Sequence, residues 1–525
     1  MRTQTRWWAL SALVVSMLTI GLDTTVLSVA LPTLSVDLHA STSQLQWITT
    51  CYTLVLAALL LPAGALGERY GYKKLLLAAL LIFGASSVWC AYSGSAATLI
   101  AARSILGIGA ALTIPLSMAV LPSIFPDATE RARALNIWVT STAIGMPLGP
   151  IIGGWLLSHA WWGSIFLINV PLVIVGFVAV AIFIPESKGS QSHSLDLTGV
   201  ALSSAGLAAL TFGFIRAGQQ SWSQTLAWGP IAAGVVFLAL FVMWQMRCRY
   251  PLVDLTLFKT PGFRWGTTFA TLMGMSMFGV LFALPLFYQA VQGNSTLATG
   301  VRLLPLIAGL LVGTRIADRF GARMGDGMTI ALGFAVAAAS LGVGALTHAT
   351  TPFVVIGTWL GFVGVGMGLV MPTAMNAALG ALQPERAGTG SALTQAFRQA
   401  GGTIGVALLG TVLNAGYRGA VPTVPNPALQ AKIDDSVSAG MAVAHKLGRA
   451  DLLAAVQSAF VHGMSLMLLT SGVAAAALAV AAAVVLRRPD AARHRARHEK
   501  AQAPDERQSR TERSLSERQS RYARR

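Results

Sequence analysis

Apolar residues gather along this chain into stretches of about twenty, separated by short segments rich in glycine, proline and charge. About twenty mostly apolar residues are what an α-helix needs to cross the hydrocarbon core of a bilayer. Such stretches fall near 8–31, 45–66, 75–93, 97–121, 134–157 and 163–184, then 198–216 and 226–246, then 265–288, 298–316, 327–347, 352–375, 390–413 and 460–486. The pattern predicts an all-α polytopic membrane protein with fourteen spans, and an even count leaves both termini on one side.

Charge assigns that side. Basic residues such as Arg6, Arg69, Lys73, Lys74, Arg131, Arg133, Arg247, Arg249, Lys259, Arg264, Arg315, Arg319, Arg323 and Arg386 fall in the N-terminal segment or in alternate short loops, whereas the opposite short loops carry only Arg216. Lys and Arg concentrate on the cytoplasmic side of membrane proteins, so both termini are expected in the cytoplasm. The net charge of +17 therefore reads as topology, and no nucleic-acid partner is expected. A hydrophobic fraction of 54% with 11% charged residues excludes a soluble protein. Cys51, Cys90 and Cys248 lie far apart without metal-ligand spacing, so neither a disulfide framework nor a metal site is indicated, and no cofactor is expected. The segment 487–525, predominantly basic and without apolar periodicity, reads as a disordered cytoplasmic tail. The first span is too long for a cleaved signal peptide and is expected to be retained.

The chain repeats itself. Arg69-Tyr70-Gly71 is echoed by Arg319-Phe320-Gly321, and Gly107, Gly109, Pro115 and Met118 recur as Gly364, Gly366, Pro372 and Met375 at a constant offset of 257. Parallel six-helix repeats with a site at their interface are an architecture of secondary transporters. The expected organisation is a six-helix bundle over 1–190, an inserted helix pair over 191–250, a second six-helix bundle over 251–486 with a long outer loop at 414–459, and the tail.

Asp23 is the one acid deep within an apolar stretch, and an intramembrane carboxylate marks a functional site by default, often a proton relay. A rise of ~1.5 Å per residue puts Asp23 in span 1 and Arg103 in span 4 at the same depth, so the two can alternate between a salt bridge and a protonated acid with a free arginine. Gly145, Gly149, Pro150, Gly153 and Gly154 fill span 5 with residues that bend a helix and permit close backbone approach. The loop Gly64 to Lys74, with Gly67, Glu68, Arg69, Gly71 and Lys73, suits a latch that binds the facing half in one conformation. Met273, Met277, Phe278 and Phe282 make span 9 soft and aromatic, as adaptable sites are. Gln395, Arg398 and Gln399 share a face of span 13, where hydrogen bonding to a neighbouring helix is the expected role.

Up to the basic tail, the chain resembles the fourteen-helix drug:proton antiporter family of the major facilitator superfamily. Leu22 to Pro32 is similar to that family's first-helix signature, with Ser28 where Asn is usual. Gly64 to Lys74 looks like motif A, with Glu68 in place of Asp and Tyr72 in place of a basic residue; Arg103 with Gly107 looks like motif B, and Gly145 to Gly154 like the antiporter motif C. Phe166 to Pro171 and Arg398 to Gly402 also match family patterns. The resemblance implies a 6+2+6 major facilitator fold in a bacterial cytoplasmic membrane, working as a monomer. It implies export of hydrophobic, amphipathic or cationic drugs against proton entry, through a cavity lined by spans 1, 4, 9 and 12, to which Met371 and Asn376 belong. With no deep acid in spans 9, 10 or 12, monovalent, neutral or amphipathic compounds are expected. A dedicated exporter of one self-made antibiotic is the alternative, and motif C argues against an importer. Without a Walker A loop, an HExxH or a GxSxG, an enzyme is not expected.

Overall fold

The computed structural model describes residues 3–125, 127–186, 196–220, 225–382 and 384–485; the expected tail at 487–525 and the side chains of Glu68 and Arg386 lie outside the described residues. The first part of the chain forms α1 (Thr3–Asp37), α2 (Thr42–Tyr70), α3 (Tyr72–Ala91), α4 (Ala96–Ile124) and α5 (Ala128–His159). The stretch expected as the sixth span follows, split at Ile168 into α6 (Ser164–Leu167) and α7 (Asn169–Phe183), with Pro171 in the first turn of α7, where its missing N–H costs nothing. The hairpin α8 (Leu197–Gln220) and α9 (Thr225–Arg247) comes next. The second part comprises α10 (Pro261–Leu286), α11 (Thr296–Arg302), α12 (Leu304–Met324), α13 (Asp326–Gly344), α14 (Phe353–Gly380), α15 (Pro384–Ala420), α16 (Pro427–Asp435), α17 (Val437–Lys446) and α18 (Ala450–Val485).

Among the described residues, twelve helical segments are long and apolar enough to cross a membrane, which makes this an all-α polytopic membrane protein. Two more polar helices, α5 and α15, are 32 and 37 residues long. Each stretch read from the sequence as a span falls on helical backbone, two of them on a pair of consecutive helices: 163–184 on α6 and α7, and 298–316 on α11 and α12.

The internal repeat has a packing cause. A Cβ on Gly109 would stand 2.8 Å from the Phe83 backbone nitrogen of α3, and one on Gly366 would stand 2.6 Å from the Gly333 carbonyl oxygen of α13. Gly107 approaches the Tyr52 carbonyl of α2, as Gly364 approaches the Leu306 carbonyl of α12. The repeated glycines thus bring α4 onto α2 and α3, and α14 onto α12 and α13. Gly71 and Gly325, which end α2 and α12, both stand at positive φ, 100° and 81°, a conformation that glycine adopts without steric cost.

The basic residues Arg69, Lys73, Lys74, Arg131 and Arg133 mark one end of the bundle, called the basic end below. The opposite, far end is where the two parts join. Hydrogen bonds between them run from the far end to the middle, among them Gln289 donating to the Val29 carbonyl at 2.8 Å, Thr296 to the Gly154 carbonyl at 3.1 Å, Gln46 to the Val406 carbonyl at 3.3 Å, and Thr403 to Thr53 at 2.8 Å. The region expected as a long outer loop is largely helical. Within it α16 and α17 form a cap, held by Tyr417 donating to the Ile433 carbonyl and by a 3.0 Å hydrogen bond between Ser35 at the far end of α1 and Ser436.

A buried ion pair beside a cavity between the halves

The turn of α1 from Leu18 to Val26 lies directly on α5. A Cβ on Gly145 would stand 2.7 Å from the Leu18 carbonyl oxygen, one on Gly149 would collide with the Thr25 hydroxyl and stand 2.9 Å from the Leu22 carbonyl oxygen, and one on Gly153 would stand 2.7 Å from a Val26 methyl. No larger residue at these positions preserves that separation. Gly154 turns the other way and packs on Thr296 and Leu297 of α11, next to the Pro150 carbonyl that meets Gly300. Motif C therefore presses α5 onto α1 with three glycines and onto the second half with the fourth.

Asp23 sits within the α1 segment so held, fully buried. Its carboxylate accepts from the Arg103 guanidinium at 2.9 Å and from the Asn169 amide at 3.0 Å. Arg103, 2% exposed, also donates through Nε to the Ile48 carbonyl at 3.4 Å, and its guanidinium carbon lies 4.6 Å from the centre of the Tyr52 ring. Removing two charges from water costs several kcal/mol per ion, and a buried pair persists only where direct contact and further hydrogen bonds offset that cost. Asn169, the Ile48 carbonyl and the Tyr52 ring supply those contacts.

Two cavities, of about 50 and about 20 Å³, adjoin at Thr24 and Phe278 between the halves. The larger is walled by α1, α2 and α4 on one side and by α10, α14 and α15 on the other. Arg103 and Tyr52 line the smaller, whereas Asp23 stands behind them and lines neither. Of the expected cavity residues, Met277, Phe278, Met371 and Phe282 reach one cavity or both. Met273 and Asn376 line neither: Met273 is packed in the core and Asn376 is exposed near the end of α14. The lining stripe on α10 is Gly274, Met277, Phe278, Leu281 and Phe282, a helical repeat of three and four from which Met273 is displaced by one position, about 100°.

Of the residues expected to form a latch near the basic end, Gly67, Gly71 and Lys73 contact their own half. A Cβ on Gly67 would meet Leu116 of α4, one on Gly71 would meet the Glu186 carboxylate, and the Lys73 ammonium donates to the Ala181 carbonyl at 2.7 Å. Among the described residues nothing lies within 4 Å of where a Cβ on Gly64 would stand, Arg69 is exposed with its guanidinium over Tyr70, and Lys74 is exposed. Asn169 belongs to the ion-pair site although nothing in its residue type distinguishes it from a structural amide; its only signal is its place in the matching stretch Phe166 to Pro171.

Residues 13–406 match the Major Facilitator Superfamily. The chain is 32% identical over 493 residues to the tetracenomycin C resistance and export protein of Streptomyces glaucescens, covering 91% of each chain. It is 32% identical over 499 residues to the multidrug efflux pump LfrA of Mycolicibacterium smegmatis, covering 92% of this chain and 96% of the relative. A crystal structure of a bacterial homologue of the human lysosomal transporter Spinster, inward-facing and unoccupied, shares the fold, with a TM-score of 0.66 at 16% identity over 92% of this chain and 98% of that one. The helices, the cavity between two repeated halves and these relatives agree: the chain belongs to the Major Facilitator Superfamily, with its drug- and antibiotic-efflux transporters, and is a multi-pass protein of the bacterial inner membrane rather than an enzyme.

Proposed function

We propose that this protein is a proton-coupled antiporter that exports amphipathic drugs or antibiotics across the cytoplasmic membrane by alternating access. The observation that carries the reading is the Asp23–Arg103 pair, completed by Asn169 and set against the cavity wall. Protonation of Asp23 removes one member of the pair and leaves the Arg103 guanidinium, already at the cavity, in need of another partner. Because Gly145, Gly149 and Gly153 lock the Asp23 turn onto α5, a change of charge there is passed to α5 and, at Gly154, to the contact that closes the far end.

The basic end is taken as cytoplasmic, which places both termini there and makes the closed far end the outer gate of an inward-facing state. The lengths of α5 and α15, 32 and 37 residues, support fourteen spans arranged as 6+2+6, with α8 and α9 the inserted pair. Gly64, Gly67, Glu68, Arg69, Gly71, Lys73 and Lys74 form the latch that engages the second half when the cytoplasmic side closes. The protein works as a monomer.

Inverted membrane vesicles test the reading. An amphipathic fluorescent compound should accumulate when the vesicle interior is made acid, and should leak out when an ionophore collapses the gradient. Accumulation that survives the collapse would contradict proton coupling. A dedicated exporter of one antibiotic is favoured as second reading by the Streptomyces relative, itself named for resistance to and export of a single compound; a broad compound panel in the same vesicles separates the two.

A further inference from the structure

We infer that the compounds exported are organic anions, whose carboxylate or phenolate pairs with Arg398 in the cavity between the halves. The inference rests on the efflux reading above and narrows its substrate class. Arg398 of α15 lines the larger cavity together with Gln395 and Gln399. A Cβ on Gly274 would stand 3.2 Å from its Cγ, so the absence of a side chain on α10 makes room for the arginine stem.

What sets Arg398 apart among the described residues is a guanidinium with an unpaired donor and no counter-ion. Its Nε is sealed from solvent and, among the described residues, makes no hydrogen bond. Among the described residues, no carboxylate lines either cavity, and Arg398 has no ion pair. Arg103 is the contrast: it too faces a cavity, but Asp23 matches its charge. An isolated guanidinium away from bulk water is costly until an anion reaches it, and an ionisable group at this depth marks a functional site by default. A planar guanidinium takes a carboxylate through two parallel hydrogen bonds. Gln395 and Gln399 add amide donors beside it, while Ile114, Met277 and Phe278 offer a soft apolar wall. The cavity is thus built for an apolar body carrying one negative group, and a cationic drug would meet a like charge with no acid to offset it.

The test uses full-length protein in detergent and in proteoliposomes, with anthracene-2-carboxylate, its neutral amide and the cation ethidium as probes. The wild type should bind the carboxylate on the order of tenfold more tightly than the amide, as a desolvated charge pair requires. Arg398→Gln should erase that preference while amide binding changes less than about twofold, which also reports that the variant is folded; Arg398→Lys should retain part of the preference. Equal binding of carboxylate and amide by the wild type, or equal loss of all three probes in Arg398→Gln, would overturn the inference. Gradient-driven transport of the amide or ethidium without carboxylate preference would leave the efflux reading standing and this one refuted. Carboxylate-selective binding without gradient-driven transport of any probe would support the Arg398 site and refute the efflux reading.

Discussion

Asp23, Arg103 and Asn169 come from three different spans, so the charge on Asp23 is a tertiary property and not a local one. Arg103→Ala would leave a carboxylate buried with one amide for company. Breaking a buried pair from one side typically costs about 3–5 kcal/mol. Arg103→Ala should therefore lower the melting temperature in detergent sharply, and adding Asp23→Asn in the same chain should restore part of the loss. A double variant no more stable than Arg103→Ala would mean that the pair contributes through packing alone. The pair itself was legible in the sequence, because a lone acid and a basic residue at equal depth leave few alternatives. Asn169 was not, since an uncharged amide in a membrane helix carries no signal of its own. Arg398 was visible as a base inside an apolar stretch, but its expected hydrogen bond to a neighbouring helix is not seen: among the described residues Nε has no partner, a fact that only the packed bundle reveals.

Helices carry these residues into place through glycine contacts that differ in kind. Gly149 faces the Thr25 side chain and the α1 backbone at Leu22 and Val26, which cannot step aside without moving Asp23, whereas Gly342 on α13 has nothing within 4 Å of where a Cβ would stand. Gly149→Ala should abolish transport and destabilise the protein by about 1–3 kcal/mol, the usual cost of overpacking. Gly342→Ala should be neutral, or stabilising by up to about 1 kcal/mol from helix propensity. Comparable transport by the two variants would remove the special role given to motif C. The apolar stretches predicted every one of these helices because a bilayer permits few other backbone solutions. Two features stayed hidden for physical reasons. The helices α16 and α17 are short and partly polar, so they lack the long apolar run that announces a span. Met273 and Asn376 lie on helices that line the cavity but on other faces, and which face points inward depends on rotations set by packing.

At the scale of the whole molecule, the far end is held shut by contacts that must part if the halves rock about a central site. The Ser35–Ser436 hydrogen bond joins α1 to the cap, and both residues are buried. A Ser35→Cys, Ser436→Cys double variant should cross-link under mild oxidation, lose transport, and recover it with reductant. Full transport by the cross-linked protein would show that the cap does not move in the cycle.

Whether a proton on Asp23 drives export is decided by efflux under a proton gradient in vesicles that hold equal amounts of wild type and Asp23→Asn. Asn keeps the size of the side chain and a hydrogen-bonding oxygen but cannot exchange a proton. The variant should still bind substrate, substrate should no longer release protons from the detergent-solubilised protein, and concentrative efflux should fall to the level of empty vesicles. Undiminished concentrative efflux by Asp23→Asn would contradict proton coupling through Asp23.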